Sequence, residues 1–186
     1  MKAGITGLIL AGGRGSRLGG VDKGLVDWRG RPLIAHVMER LRPQVDRILI
    51  SANRNQQRYA AFGPVVADRT NDFAGPLAGL QAGLAACTTP LLVCVPCDAP
   101  GLPLDLVFRL FTALTGNGAD IAVAQTVDGL QPTFLLCRSE IAAKLDAWLT
   151  SGRRKVADWL DEVQAAHVAF ADAAPFANFN TPEDLA

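Results

Sequence analysis

The stretch ITGLILAGGRGSRLGGVDKGL, residues 5–25, decides the fold. Ile5 to Leu10 is a short apolar run that stops at glycine, the pattern of a buried strand. Behind it come six glycines, at positions 12, 13, 15, 19, 20 and 24, with Arg14, Arg17 and Lys23 set among them. Glycine loses more conformational entropy on folding than any other residue, so such a cluster marks a loop whose backbone must bend sharply or approach something closely. The three cations make that something anionic. In a doubly wound sheet, ligands bind beyond the carboxyl ends of the strands, which is where this loop would lie.

Two familiar phosphate motifs fail on this loop. A dinucleotide fingerprint starting at Gly13 finds Gly15 and then requires glycine where Leu18 stands; a Walker A loop requires Gly-Lys-Ser/Thr, whereas Lys23 lies between Asp22 and Gly24. What remains is a long glycine-rich loop whose backbone N–H groups could form an anion nest, with three cations to spread along a triphosphate.

Working outward, apolar runs alternate with helical patterns. Strands are expected at 5–10, 47–51, 63–67, 91–95 and 121–125, and helices at 32–41, 55–62, 76–86, 103–114 and 139–149. The two-sided apolarity of the strands suits a mostly parallel sheet covered by helices on both faces. After Thr133 the order loosens into TFLLC, a strand; RKVADWLDEV, a short helix; HVAFA, a strand; and NTPEDL, a last helix. The expected architecture is a single α/β domain, with 1–130 as the nucleotide-binding part and 131–186 as a rim on the substrate side.

Composition narrows the class. The chain has 186 residues, 49% hydrophobic and 19% charged, with zero formal net charge. A nucleic-acid binder would carry a basic excess, so affinity for polyanions is expected to be local. The apolar start is too short for a signal-peptide core or a membrane span, which makes the cytoplasm the expected location and reduced thiols the expected state of Cys87, Cys94, Cys97 and Cys137. CVPC closes a strand-like run instead of opening a helix, so its cysteines read as packing. His36 and His167 follow no strand end of the main series and read as structural; a hydrolase triad is not supported.

Other strand ends carry polar residues. Asp98 follows LLVCV, Asp68 ends PVVAD, and Ser51 and Asn53 close RILISAN. A carboxylate there suits Mg²⁺, which takes one or two protein oxygens and otherwise water and phosphate. Each of these residue types also caps helices or forms turns. GPLAGL places Pro76 at a first helical position between Gly75 and Gly79, where the helix N-terminus could face a phosphate or the glycines could allow tight packing. In the late region, Thr181 is a natural N-cap for PEDL, while Asn178 and Asn180 would share a side if extended. Arg153, Arg154 and Lys155 form a basic edge, and Trp148 and Trp159 fall on apolar helix faces.

The run LILAGGRGSRLGGVDKGLVDWRGRPLIAHV resembles the signature of nucleotidyltransferases, and GG..SR.GG.DK behind LA is similar to that of bacterial molybdenum cofactor guanylyltransferases. The resemblance extends through SANRNQ, VVADR, GPLAGL, VPCDAP, QPTF and NFNTPEDL, nearly the whole chain. It implies the Rossmann-like nucleotide-diphospho-sugar transferase fold and the transfer of GMP from GTP to molybdopterin (or its molybdenum-loaded form), with expulsion of diphosphate. It implies Mg²⁺ on Asp98, catalysis by Lys23, Asp98 and Arg17, and nucleotide contacts from Leu10, Ala11, Gly12, Gly13, Lys23, Ser51, Asn53, Asp68 and Asp98. Relatives carry NAN where this chain has SAN, so Ser51 departs from the pattern. The pterin substrate is implied to meet Arg17, Gly20, Gly79, Asn178 and Asn180. LAGG, against the LAAG of relatives using other bases, favours guanine. The acceptor phosphate is largely dianionic near neutral pH, since its second pKa is about 6, so no general base is required. Implied partners are GTP and molybdopterin, with transient contacts to cofactor-biosynthesis proteins and recipient molybdoenzymes, no nucleic acid and no membrane, in a monomer or weak oligomer. The alternatives are a cytidylyltransferase acting on molybdopterin, a nucleotidyltransferase for sugar or small-acid phosphates, and a GTP-sensing module without turnover.

Overall fold

The computed structural model describes residues 4–11, 22–68 and 75–185. In chain order these form β1 (Ile5–Leu10), β2 (Asp27–Trp28), β3 (Arg31–Pro32), α1 (Leu33–Leu41), β4 (Arg47–Ser51), α2 (Gln56–Ala60), β5 (Val65–Val66) and α3 (Pro76–Ala86). There follow β6 (Leu91–Pro96), α4 (Leu106–Gly116), β7 (Ile121–Thr126), β8 (Gly129–Arg138), α5 (Ala142–Thr150), α6 (Val156–Glu162) and β9 (Ala166–Ala169). Short 3₁₀ turns cover Lys23–Leu25 and Pro182–Leu185, among others.

Seven strands make one sheet in the order β5-β4-β1-β6-β8-β7-β9, and β2 and β3 form a separate hairpin. Strands β1, β4, β5 and β6 pair in parallel, as do β7 and β9; β8 alone runs antiparallel, between β6 and β7. The expected mostly parallel sheet is therefore observed. The stretch read as a rim also supplies an interior strand of that sheet.

Alternation along each strand sends side chains to two cores. Ile5, Ile9, Val93 and Val95 join α1, α4 and Tyr59 of α2 on one face. Leu8, Leu49, Leu92 and Cys94 join α3, α5 and α6 on the other. The period of two in the strands and the 3–4 spacing of Leu33, Ile34, Val37, Met38 and Leu41 in α1 are the local causes of this layering. Helix α3 is apolar nearly all round because it is buried nearly all round, and Gly75 starts it at φ +73°, ψ −160°, a conformation open essentially only to glycine.

The chain leaves β1 for β4 and β5 on one side and then returns to β6 on β1's other side. This reversal puts a crevice outside the carboxyl ends of β1 and β6, the place where such sheets bind ligands. Cys97 N–H donates to the Leu10 carbonyl (3.0 Å) and Ala11 N–H to the Ser51 carbonyl (2.8 Å), so the ends of β6, β1 and β4 lie side by side.

Candidate active site

Six apolar, fully buried positions carry β6 to its end and deliver Asp98, itself only 8% exposed. Its carboxylate meets the Lys23 ammonium at 3.3 Å, and Lys23 also donates to Asn180 Oδ1. The backbone carbonyl of Asp98 accepts from Phe179 N–H at 2.8 Å. Three stretches distant in sequence thus converge beyond the ends of β1 and β6: the turn at 22–25, the turn after β6 and the segment 178–181.

Burial pushes the Asp98 carboxyl above its ordinary pKa, and the adjacent Lys23 opposes that push. A buried carboxylate beside the Lys23 ammonium is suited to a second cation, and its oxygen donors fit a hard ion such as Mg²⁺. No cluster of three or more metal-ligating side chains occurs among the described residues. An ion here would accordingly take one protein carboxylate and fill its other positions from phosphate and water, as Mg²⁺ habitually does.

A second polar pair lies at the ends of β4 and β5. Asn53 donates to Asp68 Oδ2 at 2.7 Å, and Asp68 N–H donates to Asn53 Oδ1 at 2.8 Å. Oxygen Oδ1 of Asp68 is buried without a hydrogen-bond partner among the described residues, and burial raises the carboxyl above its usual range despite the Asn53 bond. An unpartnered buried acceptor is costly, and a ligand that brings N–H donors would relieve the cost.

The structure brings Lys23, Asp98 and Asn180 together, and pairs Asn53 with Asp68. Leu10 and Ala11 end β1 at the crevice. Ser51 is 3% exposed, and a Cβ added at Gly79 would lie 2.7 Å from both Ser51 Oγ and Leu10 Cδ2. At Gly79 the structure shows close packing of α3 on β1 and β4, the tight-packing member of the two readings. Asn178 contributes its carbonyl, which accepts from the Asn180 amide at 3.0 Å, while its side chain is exposed. Gly12, Gly13, Arg17 and Gly20 lie outside the described residues.

The last turn, Pro182–Leu185, follows Thr181 in the N-cap position and carries its acids in the first turn, as expected. Asp184 adds a reciprocal cap, its Oδ2 accepting the N–H groups of Asn180 (2.7 Å) and Thr181 (2.8 Å). These bonds hold the exposed Asp184 carboxyl below its ordinary pKa. An acid three residues into the turn reaches back to the free donors ahead of it.

Several readings of bland residues hold. Cys94 and Cys97 point into opposite cores, and all four thiols are free. His36 donates from Nε2 to the Trp28 carbonyl (2.9 Å) and His167 is exposed on β9. Trp148 and Trp159 are buried in the α5–α6 core. Arg153 stacks over Trp148 at 3.6 Å, Arg154 donates to the Leu149 carbonyl and Lys155 pairs with Asp158, so this basic edge is engaged locally.

Sequence reasoning missed Asp22, Asn55, Tyr59, Trp28 and Phe179. Tyr59 donates to one oxygen of Asp22 and Asn55 to the other (3.1 Å). Trp28 meets Phe179 edge-on at 5.1 Å between centroids. The available signal was the charge of Asp22 beside Lys23 and the occurrence of the chain's only tyrosine in a short polar helix.

Residues 7–167 match a family model described as the MobA-like NTP transferase domain. A molybdenum cofactor guanylyltransferase of Cupriavidus necator is 51% identical, with 97% of this chain and 94% of the relative covered. One from Burkholderia ambifaria is also 51% identical, covering 98% and 94%. Among solved structures, the molybdopterin-guanine dinucleotide biosynthesis protein A of Archaeoglobus fulgidus matches with a TM-score of 0.77 at 22% identity, over 97% of this chain and 94% of that one. A 4-diphosphocytidyl-2C-methyl-D-erythritol synthase of Anaerococcus prevotii matches at 0.74 with 14% identity, over 99% and 93%. At such identities the structural likeness speaks to the fold alone.

Proposed function

Because this chain belongs to the MobA-like NTP transferase family, we infer that it is a molybdenum cofactor guanylyltransferase, moving GMP from GTP to the terminal phosphate of molybdopterin and releasing diphosphate. The observation that carries the reading is the convergence of Lys23, Asp98 and Asn180 beyond the ends of β1 and β6.

In this reaction a phosphate oxygen of the acceptor attacks the α-phosphorus of GTP, the new P–O–P bond forms, and the bond to the β-phosphate oxygen breaks. The nucleophile arrives largely deprotonated, so the chain's work is to position two anions and to offset the charge that spreads over phosphoryl oxygens. Lys23 supplies a compact positive charge next to Asp98, suited to the α-phosphate. Arg17 offers a two-pronged donor for phosphate oxygens. Asp98 is the residue that would hold Mg²⁺, which would supply positive charge to offset that of the phosphates. Asn180, held by the Asp184 cap and already touching Lys23, belongs with Asn178 on the acceptor side. Asp68, with its unpartnered oxygen, and Asn53 suit the N–H and O–H donors of a nucleoside. Backbone groups from Leu10 to Gly13 are the proposed selectors of guanine. No helix among the described residues is long and apolar enough to cross a membrane; the proposed location is the cytoplasm, where GTP is available.

The test is turnover of purified protein with molybdopterin, Mg²⁺ and each nucleoside triphosphate in turn. Diphosphate and dinucleotide are expected with GTP alone; product with CTP alone would overturn the guanine assignment. Asp98→Ala should lower turnover about 100-fold or more, the scale for losing one group that stabilises transition-state charge, while GTP still binds. Tight GTP binding by the wild type with no product under any condition would instead identify a sensor.

A further inference from the structure

We propose that Tyr59 is a positioning residue for Lys23: its buried hydroxyl, bound to Asp22 and in contact with Gly24, holds the Lys23 turn so that the ammonium faces Asp98. The catalytic consequence rests on the function proposed above; the structural one does not.

Helix α2 is five residues long and buries only one of them, Tyr59, which is 0% exposed. For packing alone a leucine or phenylalanine would serve, because a buried phenol brings a polar group that must find a partner. It finds Asp22, to which it donates. Burial, together with Cys97 and Asp22 nearby, pushes the phenol far above its ordinary pKa, so the donated proton stays on Tyr59. The second oxygen of Asp22 accepts from Asn55 at 3.1 Å, and Asn55 sits at φ +51°, a left-handed conformation that asparagine tolerates well. Both carboxylate oxygens of Asp22 are therefore held from α2, one by Asn55 just ahead of the helix and one by Tyr59 within it.

The other neighbour of Lys23 is fixed from the same side. A Cβ at Gly24 would lie 2.6 Å from the Tyr59 hydroxyl oxygen, 3.1 Å from Cys97 Sγ and 3.2 Å from Cys97 Cβ. Only a residue without a side chain lets the backbone come this close. Cys97 is the residue before Asp98, so Tyr59, Gly24 and Cys97 form one contact chain from α2 through the Lys23 turn to the Asp98 turn. Lys23 has a long, flexible side chain whose rotamer freedom opposes ordering. Clamping the backbone on both sides of it narrows what the side chain must search before its charge is in place.

Tyr59→Phe removes the hydroxyl and keeps the ring. It is expected to lower kcat for GMP transfer about tenfold, the effect of a modest misplacement of a charged group, with the KM for GTP within about twofold of wild type. In a Lys23→Ala background the same change should lower residual turnover no further, because its effect runs through Lys23. An unchanged kcat in Tyr59→Phe, or an equal further loss without Lys23, would overturn the proposal, since a merely structural hydroxyl would act alike in both backgrounds.

A second measurement needs no turnover. The chain has four lysines, and reductive methylation with ¹³C-formaldehyde gives each a resolved methyl resonance, with Lys23 identified by the signal lost in Lys23→Arg. In Tyr59→Phe the Lys23 resonance should move toward the position of the solvent-exposed lysines; if it stays where it was, Tyr59 does not position Lys23. Should it move while wild-type protein makes no dinucleotide from any nucleotide, the clamp stands and the guanylyltransferase reading falls.

Discussion

Asp68 and Asp98 are both carboxylates at strand ends, and their surroundings treat them differently. Asp98 has an ammonium at 3.3 Å, whereas Asp68 has an amide on one oxygen and, among the described residues, no partner on the other. Burial raises Asp68 above its ordinary pKa, so folding favours its protonated form. The linkage then has a definite sign: the favourable contribution is present below the unfolded pKa and is lost as pH rises through the folded one. Asp68→Asn replaces the group with a neutral amide of the same shape. Its Tm is expected to match wild type near pH 4 and to exceed it near pH 8, read by thermal melts across that range; a lower Tm at the alkaline end would show the ionised form to be stabilising. Asp68 was legible as a strand-end carboxylate. That one of its oxygens would be buried and unpaired was not, because burial depends on chain remote in sequence.

At the scale of elements, α3 carries a sequence signal with two meanings. GPLAGL permitted a phosphate-facing helix start as well as tight packing, and Gly79 shows the packing, against Leu10 and Ser51. Gly79→Ala should cost about 1–3 kcal/mol in chemical denaturation, the range for forcing extra volume into a packed contact. A change below about 0.5 kcal/mol would mean that Leu10 and Ser51 yield freely. The periodic elements were read nearly to the residue: β1, β4 and α3 agree at both ends with expectation. Two hairpins escaped. β2 and β3 are two residues each, too short for any period, and turn through Arg29 and Gly30, both at positive φ, as a tight hairpin turn requires. β8 begins at Gly129 rather than near Thr133, paired back onto β7 through the Val127–Asp128 turn, with a register shift between Val123 and Ala124. Its first residues alternate poorly because they are only half-buried.

For the whole molecule, the segment after β9 closes the site from the far end of the chain. Phe179 donates its N–H to the Asp98 carbonyl and sets its ring against Trp28, while Asp184 secures Asn180 and Thr181. Removing the Phe179 ring loosens this closure without touching the sheet. Phe179→Ala is expected to raise the KM for the molybdopterin acceptor about tenfold and to leave GTP affinity within about twofold, with a stability loss of about 1 kcal/mol, the scale of one aromatic pair. Titration of GTP by calorimetry beside steady-state kinetics in the acceptor checks it; equal losses for both substrates would assign the segment to the whole site instead.

By itself the sequence determined the layered α/β architecture, the strand that ends in the glycine-rich loop, and the types of residue available for phosphate chemistry. These are local properties, written in hydrophobic period and in the special backbone of glycine. Only the tertiary structure decided that Lys23 meets Asp98 across 75 residues and Asn180 across 157, and that Tyr59 lies beneath the Lys23 turn. Strand order and register set those meetings, and they arise from which faces bury together in the folded chain, for which no single segment carries a signal.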